Sequence, residues 1–224
     1  MKKITSFILA LLLVSVFGFA QDKNTMTIDA SVAFGSGFSP ALGISKNWGI
    51  GNKGRFKIGT GLRITNFSGS DIDFITAPAD LTIDEAKIDT LRLPSAAVTY
   101  VAIPIHLQYS FGEKLDIGFN IDVVGLTFGG EQTGTFTTTE SGGLNNSIQT
   151  ANPTSPNILL VGDNDRGSLN SELYARYWAT EKLGIRAGLS FQFVEYTTDR
   201  ELTFSNDRFR AKLMQPMVGV TYKF

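Results

Sequence analysis

The sequence predicts an all-β fold, an eight-stranded antiparallel up-and-down transmembrane β-barrel. Apolar side chains alternate with small or polar ones along much of the chain, and a period of two residues is typical of strands. After the N-terminal segment there is no run of about 18 apolar residues, so no membrane-spanning helix is expected. Short and long connections alternate along the chain, which is the arrangement of membrane barrels.

Residues 1–20 have the pattern of a secretory signal peptide. Lys2 and Lys3 precede an almost wholly apolar run, Ile4–Phe19, and small residues stand at its end. This run is shorter than the roughly 20 apolar residues that a spanning helix needs. We therefore expect cleavage after Ala20 and a mature chain from Gln21, with residues 21–224 forming the barrel.

Charge and cysteine content exclude several classes of protein. Without Lys2 and Lys3, the chain has 18 Lys and Arg against 21 Asp and Glu, a net charge of −3, which argues against a nucleic-acid partner. The absence of Cys excludes disulfides, thiolate catalysis and Cys-based zinc sites. An exported chain of this kind is either an outer-membrane barrel or a soluble β-sandwich of the periplasm or the medium.

The first three predicted strands are Thr25–Gly35, Ala41–Trp48 and Arg55–Phe67, each with apolar residues at alternate positions. Segments rich in Gly, Ser and Pro separate them at 35–40 and 49–54, and such residues favour turns. Short turns of this kind join neighbouring antiparallel strands.

A long connection, 68–97, follows the third strand and is rich in Asp and Glu, as expected of an exposed loop. The fourth strand, Val98–Phe111, has the clearest alternation, and its Pro104 predicts a bulge because proline removes a ladder hydrogen bond. The fifth strand, Leu115–Phe128, changes its facing near Val123, which predicts one extra residue there.

A second long connection, 129–167, precedes the sixth strand, Ser168–Trp178, and the seventh, Gly184–Thr197. A ten-stranded alternative would form an additional hairpin from Thr133–Thr139 and Ile158–Val161. We expect these two segments instead to extend the fifth and sixth strands above the membrane.

The last strand, Leu213–Phe224, ends with Tyr222 and Phe224 on its apolar face. The short turns 49–54, 112–114 and 180–183 and both termini lie at one end, which we assign to the periplasm, and the long connections 68–97 and 129–167 become extracellular loops. Outward aromatic residues collect at the periplasmic end, where a lipid interface selects them. The predicted aromatic girdle consists of Trp48, Phe56, Tyr109, Phe111, Tyr177, Tyr222 and Phe224.

Three features of the chain resemble a known family. They are the Phe-Ala before Gln21, the segment Tyr100–Tyr109 reading YVAIPIHLQY, and the C-terminal Tyr222-Lys223-Phe224. Together they resemble the outer-membrane β-barrel domain proteins of Bacteroidetes, the family grouped around PorT. The resemblance implies outer-membrane lipid and the barrel-insertion machinery, which reads the C-terminal strand, as partners. PorT is tied to type IX secretion, and no motif here extends that role to this chain.

Inward-facing ionisable residues are expected to fill the lumen. An eight-stranded barrel is only wide enough for its own side chains, and buried charges of both signs should pair. The alternative to such a plug is a narrow conductance or a proton path. The predicted lumen network consists of Asp29, Arg63, His106, Asp122, Glu172, Arg176 and Arg186.

Catalytic and metal sites are not expected. His106 is the only histidine, and Ser110 lies on the same face but about 13 Å along the strand, too far for contact. His106 is also in the periplasmic half of its strand, away from any extracellular substrate. Neither connection 68–97 nor Asp163–Gly167 completes a calcium-binding loop, and no cofactor is expected.

Arg210 and Lys212 share the outward parity of the last strand at its upper end. We expect them to contact lipopolysaccharide phosphates or to extend into the interface. The sequence therefore predicts an integral outer-membrane protein whose structural or surface-interaction role, including any extracellular ligand, belongs to its long loops. The alternatives are a narrow pore or small-molecule transporter and, as a third class, a surface lipid-modifying enzyme.

Overall fold

The structure, a computed structural model, describes residues 24–140, 144–161 and 164–224, so the predicted signal peptide lies outside the described residues. These ranges contain eleven β-strands, one short α-helix, α1 (Ala79–Thr82), and two 3₁₀-helices, Glu85–Lys87 and Thr203–Ser205. None of these helices is long and apolar enough to cross a membrane. The strands are β1 (Asn24–Phe34), β2 (Phe38–Ile50), β3 (Phe56–Thr76), β4 (Thr90–Phe111), β5 (Leu115–Phe128), β6 (Gln132–Thr137), β7 (Ser147–Pro153), β8 (Asn157–Ile158), β9 (Leu169–Trp178), β10 (Leu183–Thr198) and β11 (Arg208–Lys223).

Eight strands close into an antiparallel ring in the order β1-β2-β3-β4-β5-β9-β10-β11. The ring closes between the first and last strands, where Thr27 lies opposite Lys223 and Ala33 lies opposite Met217. Closure satisfies the backbone groups of both edge strands, as a lipid environment requires. The predicted eight-stranded antiparallel barrel is confirmed.

One β-bulge accounts for both irregularities predicted from the sequence. Ile103 pairs with Val124 and Pro104 pairs with Asp122, so Val123 is the extra residue on β5. The bulge reverses the facing of the residues that follow it. Val124 therefore points outward, and the apolar outer surface of β5 continues past the bulge.

The outer surface of the ring is apolar and its interior is polar. On β11, Met214 is 66% exposed and Val220 is 50% exposed, whereas Gln215 and Thr221, which directly follow them, are fully buried. Large exposed apolar side chains occur on all eight strands of the ring. This inverts the usual distribution of a water-soluble protein and is typical of a transmembrane barrel.

The predicted girdle residues all lie at one end of the ring, the end that has the short turns 51–55, 112–114 and 179–182 and the C-terminal end of β11. Trp48 is half-buried, and the other six are exposed. Tyr109 and Phe111 form an edge-to-face pair with ring centroids 4.7 Å apart, and Tyr222 and Phe224 form another at 5.4 Å. We call the end with these turns the lower end of the barrel and the opposite end the upper end.

A second, six-stranded ring stands above the first. Strands β3, β4, β10 and β11 continue upward and close with the β6–β7 hairpin in the order β3-β4-β6-β7-β10-β11. The ring closes where Phe209 of β11 lies opposite Thr76 of β3. The four shared strands make the upper ring a direct continuation of the wall.

The connection predicted at 68–97 is wrong over most of its length. β3 extends to Thr76 and β4 begins at Thr90, so only residues 77–89 connect them. Ile72 and Phe74 face the interior, while Asp71 and Asp73 are exposed. Asp71 and Asp73, two of the acidic residues that suggested a loop, therefore lie on the exposed side of a strand, whereas the other four lie in the shorter connection 77–89.

The second long connection, 129–167, contains the three strands β6, β7 and β8, and neither interpretation of it was correct. β6 does not extend β5; it pairs with β4 and with β7, a segment that the sequence left unassigned. β8 pairs with β5 through Val124–Ile158 instead of extending β9 or forming a hairpin with β6. The ten-stranded alternative is therefore not observed.

The upper ring encloses an apolar core. Phe74 and Tyr196 pack edge to face at 5.2 Å, as do Phe136 and Phe209 at 5.9 Å. The upper ring therefore has an interior like that of a small soluble domain, whereas the lower ring has a polar one. The core consists of Phe67, Ile72, Phe74, Leu91, Leu93, Ala96, Val98, Tyr100, Phe136, Ala151, Val194, Tyr196, Leu202, Phe209 and Ala211.

Candidate functional site in the closed lumen

The upper part of the lumen network is centred on Arg63. Its Nη2 lies 2.7 Å from Oδ1 of Asp122, and its Nη1 lies 3.2 Å from Oε2 of Glu172. Arg63 also donates to the side-chain oxygen of Asn120 and to the main-chain carbonyl of Asn170, each at 2.7 Å. The guanidinium thus has four acceptors, which offsets the cost of burying its charge.

Arg186 forms the middle of the network. Its Nη2 lies 2.5 Å from Oε2 of Glu172, and its Nη1 lies 3.1 Å from Oδ1 of Asp29. The guanidinium carbon stands 4.1 Å from the ring centroid of Tyr174, a favourable cation–π arrangement. Asp29 is held in turn by the hydroxyl groups of Thr27 and Thr221, both of which donate to it.

Arg176 forms the lower part. Its Nη2 lies 2.9 Å from Oδ2 of Asp116 and its Nη1 lies 3.8 Å from Oδ1 of Asp29. The same oxygen of Asp116 accepts from Nε1 of Trp178 at 2.7 Å, and Gln108 accepts from Arg176 at 2.5 Å. The guanidinium also stacks 4.6 Å from the Trp178 ring.

These contacts join seven buried or nearly buried ionisable side chains into a single alternating chain. Each arginine bridges two carboxylates, and each internal carboxylate bridges two arginines. Alternation places opposite charges next to each other along the lumen, so no member is left as an isolated buried charge. In order, the chain runs Asp122, Arg63, Glu172, Arg186, Asp29, Arg176 and Asp116.

Strand register brings the partners together. Asp116 lies opposite Arg176 and Asn120 lies opposite Glu172 on the neighbouring strands β5 and β9. Directly opposite side chains on one face stand about 5 Å apart, within reach of an ion pair or a hydrogen bond. Asp116 was missing from the predicted network, although its parity with Asp122 on the same strand before the bulge was a signal that could have found it.

A glycine makes room for the aromatic ring of Tyr174. A Cβ placed on Gly118 would stand 2.4 Å from the ring of Tyr174, which lies directly opposite it on β9. The ring can cover Gly118 only because that position has no side chain. Tyr174 is thereby held against Arg186.

His106 is the one predicted network residue without an ion pair or side-chain hydrogen bond among the described residues. It is 8% exposed, and its Nε2 has no partner there. The adjacent cavity of about 20 Å³ is lined by His106, Asp29, Arg63, Glu172 and Arg186, among others, and has room for one water molecule. Ser110 lines the lower mouth of the barrel instead and is not part of this cavity.

No group of three or more His, Asp or Glu residues within the described ranges could hold a metal ion. The lumen carboxylates are instead paired with arginines and hydrogen-bond donors. The arrangement can keep charged side chains paired inside the barrel and exclude mobile solvent. It lies directly below the apolar core of the upper ring.

The expected lipid contact of Arg210 is wrong. Arg210 has the outward parity predicted for it but is only 1% exposed, and its Nη2 lies 2.6 Å from Oε2 of Glu195. Arg208 and Arg210 both donate to the main-chain carbonyl of Asp165, so the connection between β8 and β9 covers them. Strand parity alone could not reveal that Arg210 is buried, because the segment that buries it, the β8–β9 connection, is distant in sequence. Lys212, two residues further along, is exposed.

Comparison with known proteins gave structural likenesses only. No family model matches the chain, and no curated protein sequence matches it. Neisserial surface protein A aligns at 12% identity with a TM-score of 0.39, over 90% of this chain and 96% of that chain. Ail from Yersinia pestis aligns at 10% identity with a TM-score of 0.40, over 90% of this chain and 99% of that chain. A major outer membrane protein from Thermus thermophilus aligns at 12% identity with a TM-score of 0.41, over 91% of this chain and 100% of that chain.

Proposed function

We propose that the chain is an integral outer-membrane β-barrel with a closed lumen, whose structural or surface-interaction role belongs to its upper ring. The single observation that carries this proposal is the pairing of an apolar outer surface with an ion-paired interior in a closed eight-stranded ring. Such a surface would be unstable in water and is stabilised by lipid chains.

The two ends of the barrel differ in a way that supports an orientation. The lower end has the turns 51–55, 112–114 and 179–182 and the exposed aromatic girdle, and the upper end has the six-stranded extension besides the short β1–β2 turn at 35–37. Outer-membrane barrels keep short turns in the periplasm and longer structures outside the cell. The upper ring is therefore the extracellular part in this proposal.

A closed lumen favours a surface role over the pore or transporter alternative. The ion-pair chain fills the lower ring, and the apolar core fills the upper ring above it. A solute would have to displace both barriers in series. The cavity between the ion-pair chain and the wall has room for about one water molecule.

The upper ring offers a surface that is built on paired strands. Its outer faces and the 77–89 connection present charged and apolar side chains, including Asp73, Asp80 and the 86% exposed Ile83. We assign any extracellular ligand to this surface. The enzyme alternative would place chemistry at His106, which is buried in the lower ring below the apolar core, away from extracellular substrates.

The remaining parts of the proposal concern delivery and contacts. Residues 1–20 would be a cleaved signal peptide, and β11 would be read by the barrel-insertion machinery. Outer-membrane lipid would contact the apolar band, with Lys212 reaching headgroup phosphates at its upper edge. Membership of the PorT-like family of Bacteroidetes is part of this proposal and rests on the resemblance of Tyr100–Tyr109 and the C-terminal residues.

Cysteine labelling tests both location and orientation, because the chain has no cysteine of its own. An Ile83→Cys variant should react with a membrane-impermeant maleimide on intact cells. A Glu113→Cys variant, in the lower turn at 112–114, should react only after the outer membrane is permeabilised. Reversed labelling would overturn the orientation, and recovery of either variant in the soluble fraction would overturn the membrane assignment.

A further inference from the structure

A cavity of about 920 Å³ opens at the lower mouth of the eight-stranded ring. Its walls come from the start of β1, the β2–β3 and β4–β5 turns and the lower ends of β9 and β11. Asp116 and Trp178 line its inner part, where the ion pairs of the lumen begin. We call this cavity the vestibule. Its volume lies in the range of pockets for small molecules.

Four basic side chains line the vestibule: Lys53, Arg55, Lys57 and Lys223. The carboxylate side chains in its wall are Glu113 and Asp116, and Asp116 already binds Arg176 and Trp178. Among the described residues, none of the four cations has a carboxylate within 4.0 Å. The chain as a whole has a net charge of −1, so this is a local excess of positive charge.

Two of these cations contact neighbouring side chains, which favours one orientation of each. The Nζ of Lys57 donates to Oγ1 of Thr25 at 3.3 Å and retains two further N–H donors. The Nζ of Lys223 lies 4.9 Å from the ring centroid of Trp178. Side chains that are already ordered lose little entropy when they bind a ligand, which favours affinity.

We propose that the vestibule binds a small multivalent anion, with phosphate groups as the ligand chemistry. Lysine and arginine are the usual partners of phosphate oxygens, and several converging cations select more than one negative charge. The lining is mainly polar, with Trp178 and Phe224 as its aromatic members. Because the lumen above is closed, the vestibule holds its ligand at the mouth and does not transmit it.

This inference goes beyond the surface role, and it relies on the proposed function only for placing the vestibule on the periplasmic side. Binding by the purified protein in detergent does not depend on that orientation. A failed labelling experiment on cells and a failed titration in detergent are therefore separate results.

Trp178 provides a direct reporter of binding. The chain has two tryptophans, so a Trp48→Phe variant leaves Trp178 as the only one. We expect inorganic pyrophosphate, titrated at constant ionic strength, to change its fluorescence to saturation. Isothermal calorimetry with the same probe gives an affinity that does not depend on the fluorophore.

Charge-removing variants locate the site. Combining Lys57→Gln with Lys223→Gln should weaken pyrophosphate binding about tenfold, since each exposed ion pair contributes up to about fivefold. Combining Lys87→Gln with Lys212→Gln removes the same charge away from the vestibule and should leave the affinity unchanged. If the first pair prevents folding, Lys53→Gln with Arg55→Gln, both exposed at the β2–β3 turn, replaces it. Unsaturable binding, or equal weakening by vestibule and control variants, would overturn the proposal.

Nanodiscs distinguish two sources of the phosphate. In discs of anionic phosphatidylglycerol, weaker pyrophosphate binding than in phosphatidylcholine would identify a lipid headgroup as the natural competitor. Equal binding in both would identify a free soluble anion.

Discussion

Nη2 of Arg186 lies 2.5 Å from Oε2 of Glu172, and the same carboxylate oxygen lies 3.2 Å from Nη1 of Arg63. A single oxygen thus serves two guanidinium groups that belong to different strands of the ring, β3 and β10. Glu172 is the central carboxylate through which the upper and middle parts of the lumen network are joined.

Replacing this carboxylate should destabilise the barrel strongly. Glu172→Gln leaves Arg63 and Arg186 buried with one negative partner fewer each, and breaking a buried ion pair from one side costs about 3–5 kcal/mol. Urea unfolding in lipid vesicles, followed by tryptophan fluorescence, should show the loss. Glu181→Gln, an exposed change in the lower turn at 179–182, is the matched control. Equal unfolding midpoints for the two variants would contradict the central role of Glu172.

The packing of Gly118 under Tyr174 predicts a second effect. Gly118→Val would force the Tyr174 ring away from Arg186, and overpacking a well-filled interior costs about 1–3 kcal/mol. We expect a lower unfolding midpoint and a changed near-ultraviolet circular dichroism spectrum. Gly130→Val provides the comparison, because a Cβ at Gly130 would meet nothing within 4 Å. An unchanged spectrum in the Gly118 variant would contradict the packing.

Arg210 and Lys212 have the same outward parity on β11, but Arg210 is buried and Lys212 is exposed, so a comparison of the two tests the burial of Arg210. Arg210→Met leaves Glu195 without one of its two arginine partners beneath the β8–β9 connection, and we expect a loss of about 3–5 kcal/mol. Proteolysis should also become faster within 159–167, since both arginines hold the carbonyl of Asp165. Lys212→Met should change neither stability nor cleavage. Equal behaviour of the two variants would mean that Arg210 is not covered.

Conductance separates the closed barrel from the pore. The wild-type protein should give no steady channels in planar bilayers, because two different barriers close it. Combining Phe136→Ala with Phe209→Ala removes two rings from the upper core. This variant should still give no channels, because the ion-pair chain below is intact. Steady openings of the wild-type protein would contradict the closed lumen, and openings of only the double variant would show that the apolar core is the sole barrier.

The period-two pattern was sufficient to predict the lower ring, because its strands separate a lipid-facing surface from a filled interior at every residue. Even the bulge at Val123 was visible, since one extra residue reverses the facing of those that follow it. Six of the seven residues predicted for the lumen network lie in the ion-pair chain for the same reason. Parity determines which side chains point inward, and the narrow lumen brings them together.

The upper ring was not predictable by the same rule, because charged residues also stand on its outer face. Asp71 and Asp73 occupy outward positions there, and they resemble the residues of an exposed loop. Asp71 also has a φ of 53°, so the alternation is interrupted between Phe67 and Ile72. The partners of β6 are set by contacts between distant segments, which no local pattern contains.

Strand β11 closes the lower ring against β1 and the upper ring against β3, where Phe209 meets Thr76. The chain therefore cannot complete either ring until its final segment has been delivered. Contacts between residues so far apart in sequence form late, because a long loop must first be ordered. A chain interrupted before Arg208 would leave β1, β3 and β10 with open edges at once. Formation of the upper ring is thus coupled to closure of the lower ring, so that an incomplete chain completes neither ring.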